Sequence, residues 1–279
     1  MEQLARLRAR LTTLTELGDI IVAMRALAAA ALQESRKALP AVSRYALLIE
    51  SGISDVAAML DATAEPAPED DSGETETICI IGSEHGFVGD LNAELLAASE
   101  IPRTSRLIVV GRRLQVAAAE RELSVAAPLP MTTHVAGVPL LARKIAERIG
   151  AASHVRLITA QRGTSKAGVG ARSRQVLPVK LPAPGTRSSP PPLSQLKPRE
   201  LLAELAGEYL LAEINRALIE SLAGENEIRL GVLTAANKNI SDKRDELRRK
   251  ERSLRQETIT TELLDVVVGA EAVIEAEGH

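Results

Sequence analysis

The sequence predicts an α/β protein that carries a long helix at each end. Three observations predict this class. Residues 1–39 and 199–279 contain no proline, and apolar residues in both segments recur at seven-residue spacing. Between these segments, short apolar runs alternate with helical patterns. Because aromatic residues make up only 1% of the chain, its core must be built from Ala, Leu, Ile and Val.

The first segment has the spacing of a helix that packs along one narrow seam. The a and d positions of a single heptad frame are occupied by Leu4, Leu7, Leu11, Leu14, Ile21, Ala28 and Leu32. Gly18 and Arg25 also fall in this frame, so the seam is expected to be imperfect there. Pro40 predicts a kink or an interruption, after which "YALLIESGISDVAAML" resumes a helical pattern.

The last segment carries one apolar row and one polar row. The apolar row consists of Leu233, Ile240, Leu247 and Leu254. The companion row starts at Leu230 and then turns polar, with Asn237, Arg244, Glu251 and Thr258. One continuous helix over residues 200–270 would be roughly 105 Å long. We expect its narrow apolar stripe to lie against the Ala and Leu face of the first helix.

The middle of the chain predicts a mostly parallel sheet with helices on its faces. The strand candidates are "TICIIG" (77–82), "RLIVVG" (106–111) and "HVRLITA" (154–160), and the helix candidates are 91–99, 112–120 and 138–149. The run "RQVLPVKL" contains Pro178, which indicates an edge strand. Residues 64–76 and 181–198 have the composition of linkers. We therefore divide the chain into a helix (1–63), an α/β domain (77–182) and a second helix (199–279).

Composition and charge exclude several classes of function. A net charge of −3 and three aromatic residues give no basis for nucleic-acid binding. The single cysteine, Cys79, cannot form an internal disulfide and indicates a reducing compartment. His134 and His154 have no ligand-like spacing, so we expect no metal site. Without a long apolar run or a secretory signal, the chain is expected to be soluble and cytoplasmic.

The stretch "GSEHGFVGDLN" (82–92) is the best candidate for a phosphate-binding loop. It lacks the Walker A pattern, and Asp90 follows Gly89 where a lysine would be needed. Its glycines also do not match GxGxxG. Ser83, Glu84, His85 and Asp90 are typical turn residues, with Asp90 as the expected N-cap and Asn92 as a local hydrogen-bonding group. A nucleotide-dependent enzyme that uses the Gly82–Asn92 turn remains an alternative, as does a free-standing coiled-coil scaffold.

Two charged segments have simple structural interpretations. The stretch "QRGTSKAGVGARSRQ" (161–175) has no helix behind it and is expected to be a flexible turn before the edge strand. The block "SDKRDELRRKERSLRQ" (241–256) is expected to be a solvated helix face. Because this block lies on a long helix, an acidic partner loop could also meet it.

Both ends of the chain and the glycine loop resemble the gamma subunit of F-type ATP synthases, the central rotor shaft. The C-terminal stretch from "LTAANKN" to "VVVGAEAV" is similar to the family pattern at Arg255, Gln256, Ile259, Thr260, Glu262 and Gly269. "IIVAMRALAAAAL" is similar to "KITKAMKMVAAAKL", with Met24 and Arg25 on matching positions. The loop resembles "TSDRGLCGGFN" at Ser83, Gly86, Gly89 and Asn92. Lys243, Arg244, Glu251, Arg252 and Asp90 depart from the family pattern.

The resemblance implies a noncatalytic subunit without a cofactor, in which the two terminal helices pair as an antiparallel coiled coil and a Rossmann-like α/β domain is inserted between them. It implies contacts with the alpha and beta subunits through Met24, Arg25, Arg255, Gln256, Thr260 and Glu262. It also implies that the α/β domain, with its loop at Ser83, Gly86, Gly89 and Asn92, contacts the epsilon subunit and the membrane c-ring. The expected location is peripheral, on the cytoplasmic face of a bacterial-type inner membrane.

Overall fold

The computed structural model describes residues 2–60, 75–162, 169–179 and 194–277. Of the predicted linkers at 64–76 and 181–198, residues 64–74 and 181–193 lie outside these ranges. Contacts divide the chain into two units, Met1–Ala26 with Leu233–His279 and Leu27–Val232. Both terminal helices, α1 (Glu2–Ala57) and α5 (Pro198–Glu277), contribute to both units. The predicted class, long terminal helices around an α/β domain, is confirmed.

The second unit contains a five-stranded sheet. Its strands are β1 (Thr77–Ile81), β2 (Arg106–Val110), β3 (Val125–Leu129), β4 (Val155–Arg162) and β5 (Val169–Leu177). Their order is β3-β2-β1-β4-β5, with parallel pairing except between β4 and β5. This is the strand order of Rossmann-type folds.

Helices cover both faces of this sheet because alternate strand residues point to opposite sides. Ile78, Ile80 and Val109 pack against α2 (Leu91–Ala97) and α3 (Arg112–Glu120). Cys79, Ile81 and their neighbours pack against α4 (Val138–Ile149) and the second-unit part of α5. Strands buried on both faces read as continuous apolar runs, which is why β1, β2 and β4 were predictable.

Two details of the predicted sheet were wrong. Strand β3 was missed, because "VAAPL" contains two alanines and a proline, residues with low strand propensity. The stretch 161–175 is not mainly a turn, since β4 extends to Arg162 and β5 starts at Val169; residues 163–168 lie outside the described ranges. The edge position of β5 is confirmed, and Pro178 follows the strand directly.

Helix α1 is not interrupted at Pro40. Pro40 is exposed, while Ala38, Leu39 and Val42 on either side pack against the core of the second unit. Tertiary packing of these residues offsets the loss of one helical hydrogen bond at the proline. The buried stripe continues through Ala46, Ile53 and Val56 in the same heptad frame.

Candidate functional site

The first unit is a pair of antiparallel helix segments. A Cβ built on Gly18 would lie 3.6 Å from Cγ2 of Ile240, and Nε of Arg8 donates to Oε1 of Glu251 over 2.8 Å. Residue numbers on α5 therefore rise as those of the contacting residues on α1 fall, which shows that the two helices are antiparallel. Gly18 is buried and faces the side chain of Ile240, so it is part of the seam rather than a gap in it. The predicted packing of the two seams is confirmed.

The polar row of α5 is more covered than the sequence indicated. Asn237, Arg244, Glu251 and Thr258 are all half-buried, whereas Leu233 and Leu247 of the apolar row are buried. Within the described ranges, Nε of Arg244 is buried without a hydrogen-bond partner. An unsatisfied buried donor of this kind costs about 1–3 kcal/mol. The seam is therefore weakest near Arg244.

The six predicted partner-contact residues all lie in the first unit but in two separate groups. Met24 and Arg25 are half-buried on α1, whereas Arg255, Gln256, Thr260 and Glu262 are exposed on α5. Because Gly18 lies opposite Ile240, Met24 lies near residue 234. Arg255 is therefore about 30 Å farther along the pair, at 1.5 Å per residue. The structure does not bring the two groups together.

The six side chains differ in the hydrogen bonds and ion pairs that they already make within the chain. Oγ1 of Thr260 donates to the carbonyl oxygen of Gln256 over 2.9 Å, so the hydroxyl retains only its acceptor capacity. In the described part of the chain, Arg25 and Arg255 have no ion-pair partner. Both guanidinium groups are thus available for a carboxylate on another molecule.

The sequence reasoning missed an exposed apolar surface at the end of α5. Six apolar side chains there are 46% to 68% exposed: Ile259, Leu263, Leu264, Val266, Val267 and Val268. The run Val266–Val268 was a usable signal, because three consecutive apolar residues cannot all face one partner helix. Leu17, Ile20 and Val22 on α1 are also exposed, by 44% to 56%.

The charged block at 241–256 is largely a solvated face, as predicted. Glu246 accepts from both Lys243 and Lys250 over 2.7 Å, and these two ammonium groups lower the pKa of its carboxyl to about 2. Arg249 and Arg252 are exposed and have no ion-pair partner within the described ranges. The block thus keeps unpaired cations on its surface.

The glycine loop is closed by its own hydrogen bonds. The backbone N–H of Ser83 donates to Oδ1 of Asn92 over 3.1 Å, and Nδ2 of Asn92 donates to Oγ of Ser83 over 2.8 Å. Gly89 has a φ of +54°, whereas Gly86 does not adopt a positive φ. Asp90 occupies the N-cap position of α2, as predicted, although its side chain makes no capping hydrogen bond.

The crevice where Rossmann-type folds bind ligands is occupied by α5. This crevice lies at the carboxyl ends of β1 and β4, where the strand order reverses. Oγ of Ser221 on α5 donates to the carbonyl oxygen of Ile81 over 3.4 Å, and Arg229 contacts the carbonyl oxygens of His85 and Gly86. Helix α5 therefore lies against the loop at the position where Rossmann-type folds bind a nucleotide.

A buried ionic cluster joins α5 to β5, which the sequence reasoning did not anticipate. Glu213 is 1% exposed and accepts from Nη1 of Arg174 over 2.7 Å and from Nη2 of Arg216 over 2.6 Å. Glu220 lies 3.9 Å from Arg174, and a cavity of about 10 Å³ lies beside these groups. Burial raises the pKa of Glu213 to about 7, although the Arg174 guanidinium lowers it. The cluster is a structural contact.

Other candidate chemistry is limited in the described part of the chain. No three His, Cys, Asp or Glu side chains there are grouped to hold a metal ion. Cys79 is fully buried, and this burial raises the pKa of its thiol to about 12. Among the described helices, none combines the length and the apolar character needed to cross a membrane.

The amino-acid sequence matches one protein family and several of its known members. The sequence model of a family described as ATP synthase matches residues 3–273. The chain is 27% identical over 282 residues to the ATP synthase gamma chain of Desulforamulus reducens, covering 96% of this chain and 98% of the relative. It is 26% identical over 296 residues to that of an Anaeromyxobacter species (strain K), covering 98% and 100%.

Solved structures share the fold. A chain of the Euglena gracilis mitochondrial ATP synthase, from a cryo-EM structure of OSCP/F1/c-ring in rotational state 3, matches with a TM-score of 0.68 and 15% identity over 98% of this chain and 95% of that one. A chain from the rotor of the same enzyme, in rotational state 1, matches with a TM-score of 0.62 and 14% identity over 92% and 99%. The chain belongs to the ATP synthase family, among its gamma chains.

Proposed function

We propose that this chain is the central rotor shaft of an F-type ATP synthase, coupling ion flow through a membrane ring to ATP synthesis or hydrolysis in catalytic subunits. The observation that carries the proposal is the antiparallel helix pair of the first unit, whose surface bears unpaired cations and exposed apolar side chains. The chemistry belongs to other chains, and this subunit is noncatalytic.

The helix pair can transmit work because its faces differ. One part of α1 presents Leu17, Ile20 and Val22, whereas the 241–256 block of α5 presents mainly charges. As the pair turns inside a ring of alpha and beta subunits, each catalytic subunit meets a different face. Contacts that differ between open and closed states shift the equilibrium of each subunit between them.

Six residues are proposed as contacts with this ring: Met24, Arg25, Arg255, Gln256, Thr260 and Glu262. Arg25 and Arg255 would meet acidic loops, which their lack of an ion-pair partner in the described ranges supports. Gln256 would provide hydrogen bonds, and Thr260 would act as an acceptor. The exposed apolar end of α5 would lie against an apolar surface of the ring.

The α/β domain is proposed to contact the epsilon subunit and the membrane c-ring. The loop that contains Ser83, Gly86, Gly89 and Asn92 would contribute to that surface. We retain 1–63, 77–182 and 199–279 as the functional segments of the chain. As a gamma chain the protein is a peripheral subunit, and we propose that it lies on the cytoplasmic face of a bacterial-type membrane.

Reconstitution with alpha and beta subunits tests this proposal. A bead attached to the α/β domain should rotate when ATP is added, and Arg255→Ala should lower the torque. Arg143→Ala is the control, since Arg143 is exposed on α4 of the α/β domain and lies outside the helix pair. Equal effects of the two substitutions would contradict the assignment of Arg255.

Three measurements distinguish the rotor function from the two alternative functions. Co-purification with alpha, beta and epsilon subunits is expected from a rotor shaft. Micromolar binding of ATP, ADP or NAD to the isolated chain in isothermal titration would instead favour a nucleotide-dependent enzyme. A stable homodimer in light scattering, without other subunits, would favour a scaffold.

A further inference from the structure

Helix α5 is attached to the loop that follows β1 by one buried arginine. Arg229 is 8% exposed, and its guanidinium donates to the carbonyl oxygen of Gly86 over 3.2 Å and to that of His85 over 3.3 Å. A third bond, from Nη1 to Oδ1 of Asn226, is 3.0 Å long. Arginine suits this position because its planar fork fixes several donors in one geometry.

Glu225 strengthens this attachment from the preceding turn of α5. Its carboxylate, 3% exposed, pairs with Nη2 of Arg229 and accepts a hydrogen bond from the His85 backbone. An apolar pair of similar volume is often as stable as a buried ion pair. Such a pair would not hold the helix at one angle, however, because apolar contact is non-directional whereas hydrogen bonds require a narrow geometry. The ionic pair therefore adds direction to the contact between the helix and the loop.

The loop at the other end of this attachment is itself fixed to the sheet. Glu84, 8% exposed, accepts from the backbone N–H of Met131 over 2.8 Å and from that of Arg112 over 3.2 Å. Each of these donors lies two residues beyond the end of its strand, β3 or β2. A twisting force on Arg229 therefore passes into the sheet.

Arg229 lies close to the point where α5 leaves the second unit. That unit ends on this helix at Val232, and the segment that belongs to the helix pair starts at Leu233. Arg229 is thus about 6 Å from the boundary along the helix, at 1.5 Å per residue. Ser221, which bonds the carbonyl oxygen of Ile81, is about 18 Å from the same boundary. Of these two attachments, Arg229 holds the helix nearer to the pair.

Helix α1 is joined to α5 at the same level. Nη2 of Arg36 on α1 donates to Oε1 of Glu227 on α5 over 3.1 Å, and Glu227 lies between Glu225 and Arg229 in the sequence. A torque that reaches α5 through Arg229 is therefore passed on to α1 within the same turn of the helix.

We propose that Arg229, paired with Glu225, is the torque anchor of the shaft, the point that stops α5 from rotating about its own axis relative to the sheet. Rotation of the α/β domain then passes to the helix pair without slippage. The inference rests on the proposed rotor function, because only a rotor carries a twisting load between these two parts of the chain. It involves none of the six residues proposed as ring contacts.

The test uses three variants of the full chain, each assembled with alpha and beta subunits. Glu225→Leu with Arg229→Met, the apolar-pair variant, keeps the buried volume but removes the directional bonds. Arg229→Lys keeps the charge beside Glu225 but cannot bond both carbonyl oxygens. Glu213→Gln with Arg216→Gln is the matched control, a buried pair on the same helix that lies farther from the boundary than Ser221.

Torsional stiffness is measured from the angular fluctuations of a bead on the α/β domain while a non-hydrolysable ATP analogue holds the head still. The compliance of a rod is proportional to its free length, which increases roughly threefold if Ser221 rather than Arg229 holds α5. We expect the apolar-pair variant to raise the angular variance about twofold, since other elastic parts of the complex are unchanged. Arg229→Lys should have a smaller effect in the same direction, and the control should match the wild type.

Urea denaturation of the isolated chains separates anchoring from stability. The apolar-pair variant should unfold at the same urea concentration as the wild type or at a higher one. A rise in angular variance that occurs only together with a loss of stability would show that the pair is merely structural, and would overturn the anchor.

The remaining outcomes distinguish the anchor from the rotor function. Unchanged angular variance in the apolar-pair variant, in a complex whose wild-type bead rotates on ATP, would overturn the anchor alone. So would a control that raises the variance as much as the apolar-pair variant does. If the wild-type bead does not rotate at all, the rotor function fails and the anchor fails with it, even where hydrogen exchange of the His85 amide shows that the pair holds the loop.

Discussion

Ile240→Asp is the most direct test of the helix pair. Ile240 is half-buried, and its Cγ2 lies 3.6 Å from the position of a Cβ built on Gly18. Full burial of an isoleucine contributes about 1.5–3 kcal/mol, so half-burial contributes about 1 kcal/mol or slightly more. Partial desolvation of the new carboxylate costs about 1–2 kcal/mol more. We therefore expect the variant to lose about 2–3 kcal/mol of stability.

Urea denaturation followed by circular dichroism measures this loss, with Asn239→Asp as the control. Asn239 is exposed and adjacent on the same helix, so this substitution adds the same carboxylate away from the seam. The control should stay within about 0.5 kcal/mol of the wild type. If the two variants unfold at the same urea concentration, Ile240 does not pack in the seam and the pairing register is wrong.

Three further substitutions test other parts of the structure. Gly18→Ala should stabilise the protein by about 0.5–1 kcal/mol in urea denaturation, because the added Cβ fits at ordinary contact distance and Ala favours helix; destabilisation would mean that the helices are closer. Arg244→Leu should stabilise it by about 1–2 kcal/mol by removing an unsatisfied buried donor, and a loss would reveal a partner for Arg244. Because the folded pKa of Glu213 is about 7, above its unfolded value, its contribution is fully present below pH 4.5 and is lost as the pH rises through 7. Glu213→Gln should therefore weaken the decrease in stability between pH 5.5 and 8 by about 1–2 kcal/mol, and an unchanged pH dependence would show that Glu213 titrates normally.

Local patterns predicted most of the secondary structure. Helices α3 and α4 begin and end where their patterns do, and the buried strands β1, β2 and β4 are recognisable as apolar runs. Strand β3 and the true extent of β5 were not predictable in this way. Strand β3 contains two alanines and a proline, and β5 contains several polar residues, so their strand conformation depends on pairing with β2 and β4.

The glycine loop shows a different limit. Its spacing and Asp90 were enough to argue against a phosphate site, but nothing in the local sequence indicated where the loop is attached. Arg229 lies 143 residues from Gly86. Sequence spacing reveals contacts within one helix or turn, whereas a side chain that reaches a distant loop is known only once the chain has folded.

The sequence by itself determined the two terminal helices and their seams, because a seven-residue repeat specifies which face of a helix is buried whatever lies opposite. Tertiary structure alone decided three features: the continuity of α1 through Pro40, the packing of Gly18 against Ile240, and the contacts of Glu213 and Arg229 with distant elements. Each depends on long-range packing. Contacts between residues far apart in sequence offset the free-energy cost of a proline or glycine inside a helix and of a buried charged side chain.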